Sequence, residues 1–257
     1  MYVKPKKNIG QHFLTDDNIA FRIVESLNIQ ADEFVLEVGP GTGVLTKFLL
    51  QTPEIDLKVI EIDRESIEFL NLNFESLKNK IIEKSFLNLD FETLGKSKIS
   101  VIGNFPYNIS SQIVFKIIEN RSFVEKTVGM FQKEVAKRIA ANPSSKDYGI
   151  ITVLTQAYFD VEYLFTVDEH VFNPPPKVKS GVLRFTNKHT KLNCDEVLFK
   201  KIVKTTFNTR RKMIRNSIKV LLGDKEINTD YLLKRPEQLS VSEFEELTNI
   251  VQEVLSQ

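Results

Sequence analysis

Cysteines, long apolar runs and an excess of either charge are all scarce in this sequence of 257 residues. The one cysteine, Cys194, excludes an intramolecular disulfide, which fits a reducing compartment. No apolar run reaches 18 residues and the basic N-terminus lacks an apolar segment, so we expect no membrane span and no signal peptide. His170 and His189 have no Cys or acidic partner at ligand spacing. The sequence therefore predicts a cytoplasmic protein without a metal site.

The net charge of +1 conceals an uneven distribution of charge. Residues 200–219 contain eight Lys or Arg and no acid, whereas residues 237–257 contain five Glu and no Lys or Arg. A helix beginning at Arg210 would carry a cationic arc of about 100° and an apolar face opposite it. The cationic residues would be Arg211, Lys212, Arg215 and Lys219, and the apolar ones Met213, Ile214, Val220 and Leu221. Such a helix suits RNA phosphates, and a solvated face without a ligand is the alternative.

Short apolar and β-branched runs alternate with segments of helical length in the first part of the chain. The predicted strands cover residues 34–38, 57–62, 80–84, 98–104, 126–132 and 181–185. The predicted helices cover residues 16–28, 44–51, 64–77, 108–120 and 133–141. This alternation predicts an α/β fold with a mostly parallel sheet between helices. Because residues 193–255 indicate helices only, we place one domain at 1–188, with an N-terminal arm at 1–15, and a small helical domain at 189–257.

Three glycines follow the first predicted strand, at Gly39, Gly41 and Gly43. Glycines at a strand-to-helix turn let the backbone approach a ligand, and the helix N-terminus offers free N–H groups. Glu61, at the end of the second strand, can accept hydrogen bonds from both hydroxyls of a ribose. A dinucleotide fingerprint would need its third glycine at Val44, which disfavours a nicotinamide-dependent oxidoreductase. The spacing instead resembles the nucleoside loop of S-adenosylmethionine-dependent methyltransferases, and a plain tight turn is the alternative.

The stretch GNFPYNIS, residues 103–110, follows the fourth strand at the same rim of the sheet. Asn and Pro favour turns and aromatic residues fill space, so a plain turn is one interpretation. The other is a site for methylation of adenine N6, a poor nucleophile that needs hydrogen-bond acceptors rather than a strong base. Asn104 and the carbonyl of Phe105 or Pro106 would be the acceptors, and Tyr107 would stack on the base. Catalysis would then operate by positioning.

Seven motifs in order connect the sequence to a known family. They are NIGQHFL (8–14), EVGPGTG (37–43), EIDR (61–64), GNFPYNIS (103–110), FQKEV (131–135), FNPPPKV (172–178) and RRKMIRNS (210–217). Over essentially its whole length, the sequence resembles the bacterial small-subunit ribosomal RNA adenine dimethyltransferases, which are related to the Erm enzymes. The resemblance implies a Rossmann-like methyltransferase sheet with a small all-helical C-terminal domain. It also implies transfer of two methyl groups from S-adenosylmethionine to N6 of each of two adjacent adenines in the 3′-terminal hairpin loop of 16S rRNA.

The resemblance assigns roles to individual residues. The implied cofactor-binding residues are Gln11, His12, Leu14, Gly39, Gly41, Glu61, Ile62, Ser85, Phe86 and Asn104. The implied catalytic residues are Asn104, Pro106, Tyr107 and Phe172, of which Tyr107 and Phe172 would sandwich the base. The expected RNA contacts are Arg210, Arg211, Lys212, Arg215 and Lys219. The family usually has Leu at the position of Phe105 and Asp at that of Ser85, where a neutral hydroxyl is the weaker acceptor.

Two further functions remain as alternatives at this point. An Erm-type enzyme acting on large-subunit RNA is disfavoured by the RRKMIRNS run and the three consecutive prolines. A non-catalytic RNA-binding assembly factor is disfavoured by the intact Asn-Phe-Pro-Tyr sequence. The expected partner is 16S rRNA within an immature small subunit, with a monomeric enzyme and no membrane partner.

Overall fold

A computed structural model describes residues 3–6 and 9–256, so Asn8 of the first motif lies outside the described residues. The chain divides into two compact units. The first comprises Met1–Lys137 and Asp160–Asn187, and the second comprises Arg138–Phe159 and Lys188–Gln257. The second unit thus contains a segment before residue 160 in addition to the C-terminal region that the sequence predicted as a helical domain. No helix in the described ranges is long and apolar enough to cross a membrane.

The strands lie within two residues of the predicted bounds wherever a strand was predicted. They are β1 (Phe13–Leu14), β2 (Phe34–Val38), β3 (Asp56–Glu61), β4 (Ile81–Glu83), β5 (Ile99–Asn104), β6 (Val124–Gln132), β7 (Phe159–Val167), β8 (Phe172–Asn173) and β9 (Ser180–Asn187). Within the described chain, seven of them form one sheet in the order β4-β3-β2-β5-β6-β9-β7. The short strands β1 and β8 form a separate antiparallel pair.

The centre of the large sheet is parallel, as the sequence predicted. Strand β2 pairs in parallel with β3 on one side and with β5 on the other, and β5 pairs in parallel with β6. All five residues of β2 are buried, which is the pattern of a strand covered on both faces. The strand order reverses between β2 and β5. In open α/β sheets, ligands bind beyond the carboxyl ends of the strands at such a reversal.

The α-helices and shorter 3-10 turns complete the two units. The helices are α1 (Asp17–Ser26), α2 (Thr46–Leu49), α3 (Arg64–Asn73), α4 (Ser110–Glu119), α5 (Lys133–Ile139), α6 (Ile150–Gln156), α7 (Glu196–Asn208), α8 (Ile214–Ser217), α9 (Lys219–Leu222) and α10 (Val241–Leu255). The 3-10 turns lie at Glu75–Leu77, Phe86–Asn88, Phe91–Leu94, Glu169–Val171, Asp230–Leu233 and Pro236–Gln238. Asp16 begins α1 by accepting hydrogen bonds from the N–H groups of Asn18 and Ile19, at 2.9 and 3.0 Å.

The second unit is built around α7 and α10. Phe207 of α7 lies 6.0 Å from Phe244 of α10 and 6.2 Å from Tyr148, between ring centroids. Gln156 of α6 donates hydrogen bonds to two carbonyl groups of the segment before that helix, at 3.1 and 2.9 Å. These contacts account for the presence of the segment 138–159 in this unit.

The prediction of a cationic helix beginning at Arg210 is wrong. Helix α7 ends at Asn208, Met213 has an extended backbone, and the N–H of Ile214 donates to the carbonyl of Lys234 at 2.8 Å. Two short helices, α8 and α9, follow in place of a continuous one. The buried apolar positions in and between these helices are Ile214, Ile218 and Leu222, four residues apart, whereas Val220, predicted to lie on the apolar face, is 79% exposed.

The predicted RNA-contacting residues differ in their surroundings. Arg211, Lys212, Arg215 and Lys219 are exposed. Arg210 is half-buried and donates from Nη2 to the carbonyl of Ser145 at 3.1 Å, and its Nε lies 3.8 Å from Glu237 Oε2. Arg210 therefore holds two segments of its own unit together, a role that sequence spacing does not reveal.

Candidate active site

A cavity of about 230 Å³ opens beyond the carboxyl ends of β2, β3 and β5, at the reversal of strand order. Most of the predicted site residues line it, namely Gln11, His12, Gly39, Gly41, Glu61, Ile62, Ser85, Asn104, Pro106 and Tyr107. The N-terminal arm, the glycine loop and the Asn-Phe-Pro-Tyr turn thus meet in one place, although they are far apart in sequence. No group of three or more His, Cys, Asp or Glu side chains suited to a metal ion occurs among residues 3–6 and 9–256.

Three predicted site residues do not line the cavity: Leu14, Phe86 and Phe172. Leu14 and Phe172 face each other across the β1–β8 pair and belong to the hydrophobic core, with Phe172 only 4% exposed. Phe86 is buried and packs edge-on against Phe91, 5.8 Å between ring centroids, while Leu87 reaches the cavity wall. Sequence position did not distinguish these cases, because pairing and turn geometry decide which neighbour faces the cavity.

Glu61 is a buried carboxylate held by three backbone N–H groups. Its Oε1 accepts from Ile62 and Asp63 at 2.7 and 2.9 Å, and its Oε2 accepts from Gly41 at 3.2 Å. Burial raises the pKa of Glu61 above its usual range, and these three hydrogen bonds oppose that shift without cancelling it. The carboxylate ties the end of β3 to the glycine loop after β2, so the two loops share one fixed geometry.

Glu37 is a second buried acid, at the end of β2 and beneath the glycine loop. Burial raises its pKa to about 8, so the side chain is mostly protonated at pH 7. Thr46 Oγ1, on α2, donates to Glu37 Oε2 at 2.6 Å. Because α2 follows the glycine loop, this contact joins the two ends of the loop. Glu37 thus holds the glycine loop in place but does not itself line the cavity.

An ion-pair cluster anchors the N-terminal arm beside the cavity. The ammonium group of Lys6 contacts the carboxylates of Asp63 and Glu65, the latter at 3.1 Å. The backbone N–H of Lys6 donates to Gln11 Oε1 at 2.9 Å, and Gln11 lines the cavity. Burial alone would raise the pKa of Asp63, but hydrogen bonds from Lys6, Ser66 and Gln11 outweigh it and lower the pKa. No local signal in the sequence indicated this role of Lys6.

Asn104 and Tyr107 are each held by the N-terminal arm. The Asn104 side chain donates from Nδ2 to the carbonyl of His12 at 2.9 Å, so Oδ1 is the atom that can accept a hydrogen bond in the cavity. The ring of Tyr107 stacks on that of His12, 5.3 Å between centroids at 28°, and its hydroxyl lies 2.5 Å from Ser180 Oγ. His12 Nδ1 donates in turn to the carbonyl of Pro174 at 2.7 Å. The His12–Tyr107 stack was not predicted from the sequence.

Comparisons with known proteins identify the relatives of this chain. The profile of the family described as ribosomal RNA adenine dimethylase matches residues 3–254. The ribosomal RNA small subunit methyltransferase A of Parabacteroides distasonis is 56% identical over 258 residues, covering 98% of this chain and 96% of that protein. The protein of the same name from Flavobacterium johnsoniae is 52% identical over 253 residues, covering 97% of each chain.

Solved structures show the same fold. A dimethyladenosine transferase from Plasmodium falciparum matches with a TM-score of 0.79 at 24% identity, covering 95% of this chain and 98% of that one. The 23S rRNA methyltransferase ErmE matches with a TM-score of 0.67 at 25% identity, covering 92% of this chain and 99% of that one. By its sequence profile, its close relatives and its fold, the chain belongs to the ribosomal RNA adenine dimethylase family.

Proposed function

We propose that this protein transfers methyl groups from S-adenosylmethionine to N6 of two adjacent adenines in the 3′-terminal hairpin loop of 16S rRNA, acting on the immature small subunit as a cytoplasmic monomer. The relatives named ribosomal RNA small subunit methyltransferase A support this substrate. The observation that carries the chemistry is the orientation of Asn104. Its Nδ2 is engaged by the carbonyl of His12, which leaves the Oδ1 acceptor at the cavity beside the glycine loop.

The residues around the cavity fit S-adenosylmethionine, which would supply an electrophilic methyl group when bound. Gly39 has a φ of +66°, and a Cβ built there meets no atom within 4 Å, so the loop presents an open face. The fixed Glu61 carboxylate suits the two hydroxyls of a ribose. Ser85, at the cavity wall, offers a hydroxyl acceptor to an adenine amine.

The side chains around Asn104 would act on the target adenine by positioning it. The N6 lone pair is delocalised into the ring, so acceptors that hold the amine hydrogens and turn the lone pair are more useful than a strong base. Asn104 Oδ1 and the carbonyl of Phe105 or Pro106 are such acceptors. Tyr107 lines the cavity with His12 stacked on its ring, and the Tyr107 ring would stack on the base, which contributes roughly 1–3 kcal/mol.

Replacement of Gly39 by Ala tests the assignment of the glycine loop, with Gly95→Ala as a matched control. Both glycines have positive φ values, +66° and +64°, and both lack neighbours within 4 Å of a built Cβ. Each substitution should therefore cost about 1–2 kcal/mol of stability. Only Gly39 lines the cavity, so Gly39→Ala should weaken cofactor binding by roughly tenfold or more in calorimetric titration, as overpacking costs about 1–3 kcal/mol. Equal cofactor affinities of the two variants would contradict the assignment.

The exposed arginines after α7 are the proposed RNA-binding surface. We expect Arg211→Ala/Arg215→Ala to weaken rRNA binding and to reduce the slope of log K against log salt concentration by about 1 to 2, since each lost phosphate contact removes about one unit. The control is Lys78→Ala/Lys98→Ala, which removes the same charge from exposed positions of the first unit. If filter binding gives the same salt slope for both double variants and the wild type, this surface does not bind RNA.

The substrate is tested with S-adenosylmethionine carrying a labelled methyl group, with immature small subunits and large subunits supplied as separate acceptors. We expect label on two adjacent adenines near the 3′ end of 16S rRNA, with two methyl groups on each N6. Label on large-subunit RNA would instead identify an Erm-type enzyme. Stable binding of the small subunit without any methyl transfer would indicate a non-catalytic assembly factor.

A further inference from the structure

The ring of Phe105 is buried next to the cavity, directly after the carboxyl end of β5. Phe105 stands between Asn104 and Pro106, and it is 1% exposed. Its ring packs edge-on against Phe131 of β6, 5.2 Å between centroids, and its backbone N–H donates to the carbonyl of Met130 at 3.2 Å. Both its backbone and its side chain thus anchor the Asn-Phe-Pro-Tyr turn to β6.

Two glycines lie directly against this ring. Gly103 of β5 and Gly129 of β6 are direct partners in the parallel pairing of these strands. A Cβ built on Gly129 would lie 2.2 Å from Phe105 Cε2, and one built on Gly103 would lie 2.8 Å from Phe105 Cε1. Neither glycine has a positive φ, so the backbone conformation does not require glycine at either position. At Gly129, the rings of Phe105 and Phe131 together account for the absence of a side chain, since the built Cβ also lies 2.9 Å from Phe131 Cε2.

We propose that Phe105 and Gly129 form a coupled pair that positions Asn104 and Pro106 for methyl transfer. Phe105 is a positioning residue: its ring, seated over Gly129, determines where β5 ends and the turn begins. A displacement of about 1 Å at reacting groups can cost about 100-fold in rate, so a shift of this ring should lower the rate of methyl transfer. The proposal deepens the proposed function and rests on it.

The test is a double-mutant cycle with Gly129→Ala, Phe105→Leu and the double variant. Gly129→Ala forces its methyl group into the ring and should lower kcat by about 100-fold with little change in the KM for S-adenosylmethionine. Phe105→Leu should lower kcat only several-fold. In the double variant, the smaller Leu removes the two contacts with the Phe105 ring, at 2.2 and 2.8 Å, and leaves the contact with Phe131 at 2.9 Å. We therefore expect kcat to rise at least tenfold above that of Gly129→Ala. Multiplicative effects without rescue, or a loss confined to KM, would overturn the proposal.

A control separates positioning from general stability. Phe34→Leu makes the same reduction at a buried ring at the opposite end of the sheet, where β2 begins, and should lower the melting temperature without lowering kcat. If Gly129→Ala does not fold, the kcat of the double variant is compared with that of Phe105→Leu instead. The proposal then requires the double variant to fold with a kcat within several-fold of that of Phe105→Leu. Methyl transfer by the wild type in the same assay tests the proposed function separately, so failure of the cycle leaves that function intact.

Discussion

Asn104→Ala is expected to lose most methyl transfer while it still binds rRNA. The substitution removes the Oδ1 acceptor, which is oriented by the hydrogen bond from Nδ2 to the carbonyl of His12. Removal of one preorganised polar group from a site of this kind typically lowers kcat by about 100- to 1,000-fold. Cofactor affinity should fall by much less, because the lost hydrogen bond to the arm is worth only about 1 kcal/mol.

Asn120→Ala is the matched control for Asn104→Ala. The Asn120 side chain also donates from Nδ2 to a backbone carbonyl, that of Lys116 at 2.8 Å, but Asn120 is not among the residues that line the cavity. Single-turnover methylation with saturating S-adenosylmethionine measures the rate constant of methyl transfer, and filter binding measures rRNA affinity. If the two variants methylate equally fast, or if Asn104→Ala fails only because it no longer binds rRNA, Asn104 does not have the role given to it.

The fold and the location of the site were predictable because their signals are local. Strands β2, β3 and β5 are short runs rich in apolar and β-branched residues, and each ends in, or is followed directly by, residues that line the cavity. Parallel strands place their carboxyl ends at one edge, so Gly39, Glu61 and Asn104 had to come together once the strand assignment was correct. This reasoning needs only the spacing within each segment and the general topology of such sheets.

What the sequence did not reveal depends on contacts between distant segments. The stack of His12 on Tyr107 joins residues 95 positions apart, and the burial of Phe172 follows from its pairing with Leu14. The cationic helix was predicted from a helical phase beginning at Arg210. The actual phase is determined by the hydrogen bond from Ile214 to the carbonyl of Lys234, a residue 20 positions later.

Glu61→Gln is expected to weaken S-adenosylmethionine binding by about 100-fold. Both carboxylate oxygens accept backbone N–H donors, so an amide in either orientation presents its NH₂ group to at least one of Gly41, Ile62 or Asp63. The amide also leaves only one oxygen to accept from the ribose hydroxyls. A hydrogen bond to a charged group is worth about 1.5–3 kcal/mol, and each 1.4 kcal/mol corresponds to about tenfold in affinity. Calorimetric titration without RNA measures the loss directly. A change of less than threefold would contradict the role of Glu61.

Glu37→Gln is the control, because it makes the same replacement at the neighbouring buried acid. The pKa of Glu37 is raised to about 8 by burial, so at pH 7 the side chain is mostly neutral and an amide resembles it closely. The Gln oxygen can still accept from Thr46, so cofactor affinity should change by less than threefold.

A carboxyl group whose pKa is higher in the folded state stabilises the protein most at low pH. The free energy of unfolding of the wild type, relative to Glu37→Gln, should therefore decline between pH 4.5 and 8 and level off above that range. Chemical denaturation across this range checks that Glu37 is the neutral acid of the pair, and a difference independent of pH would show that it is charged.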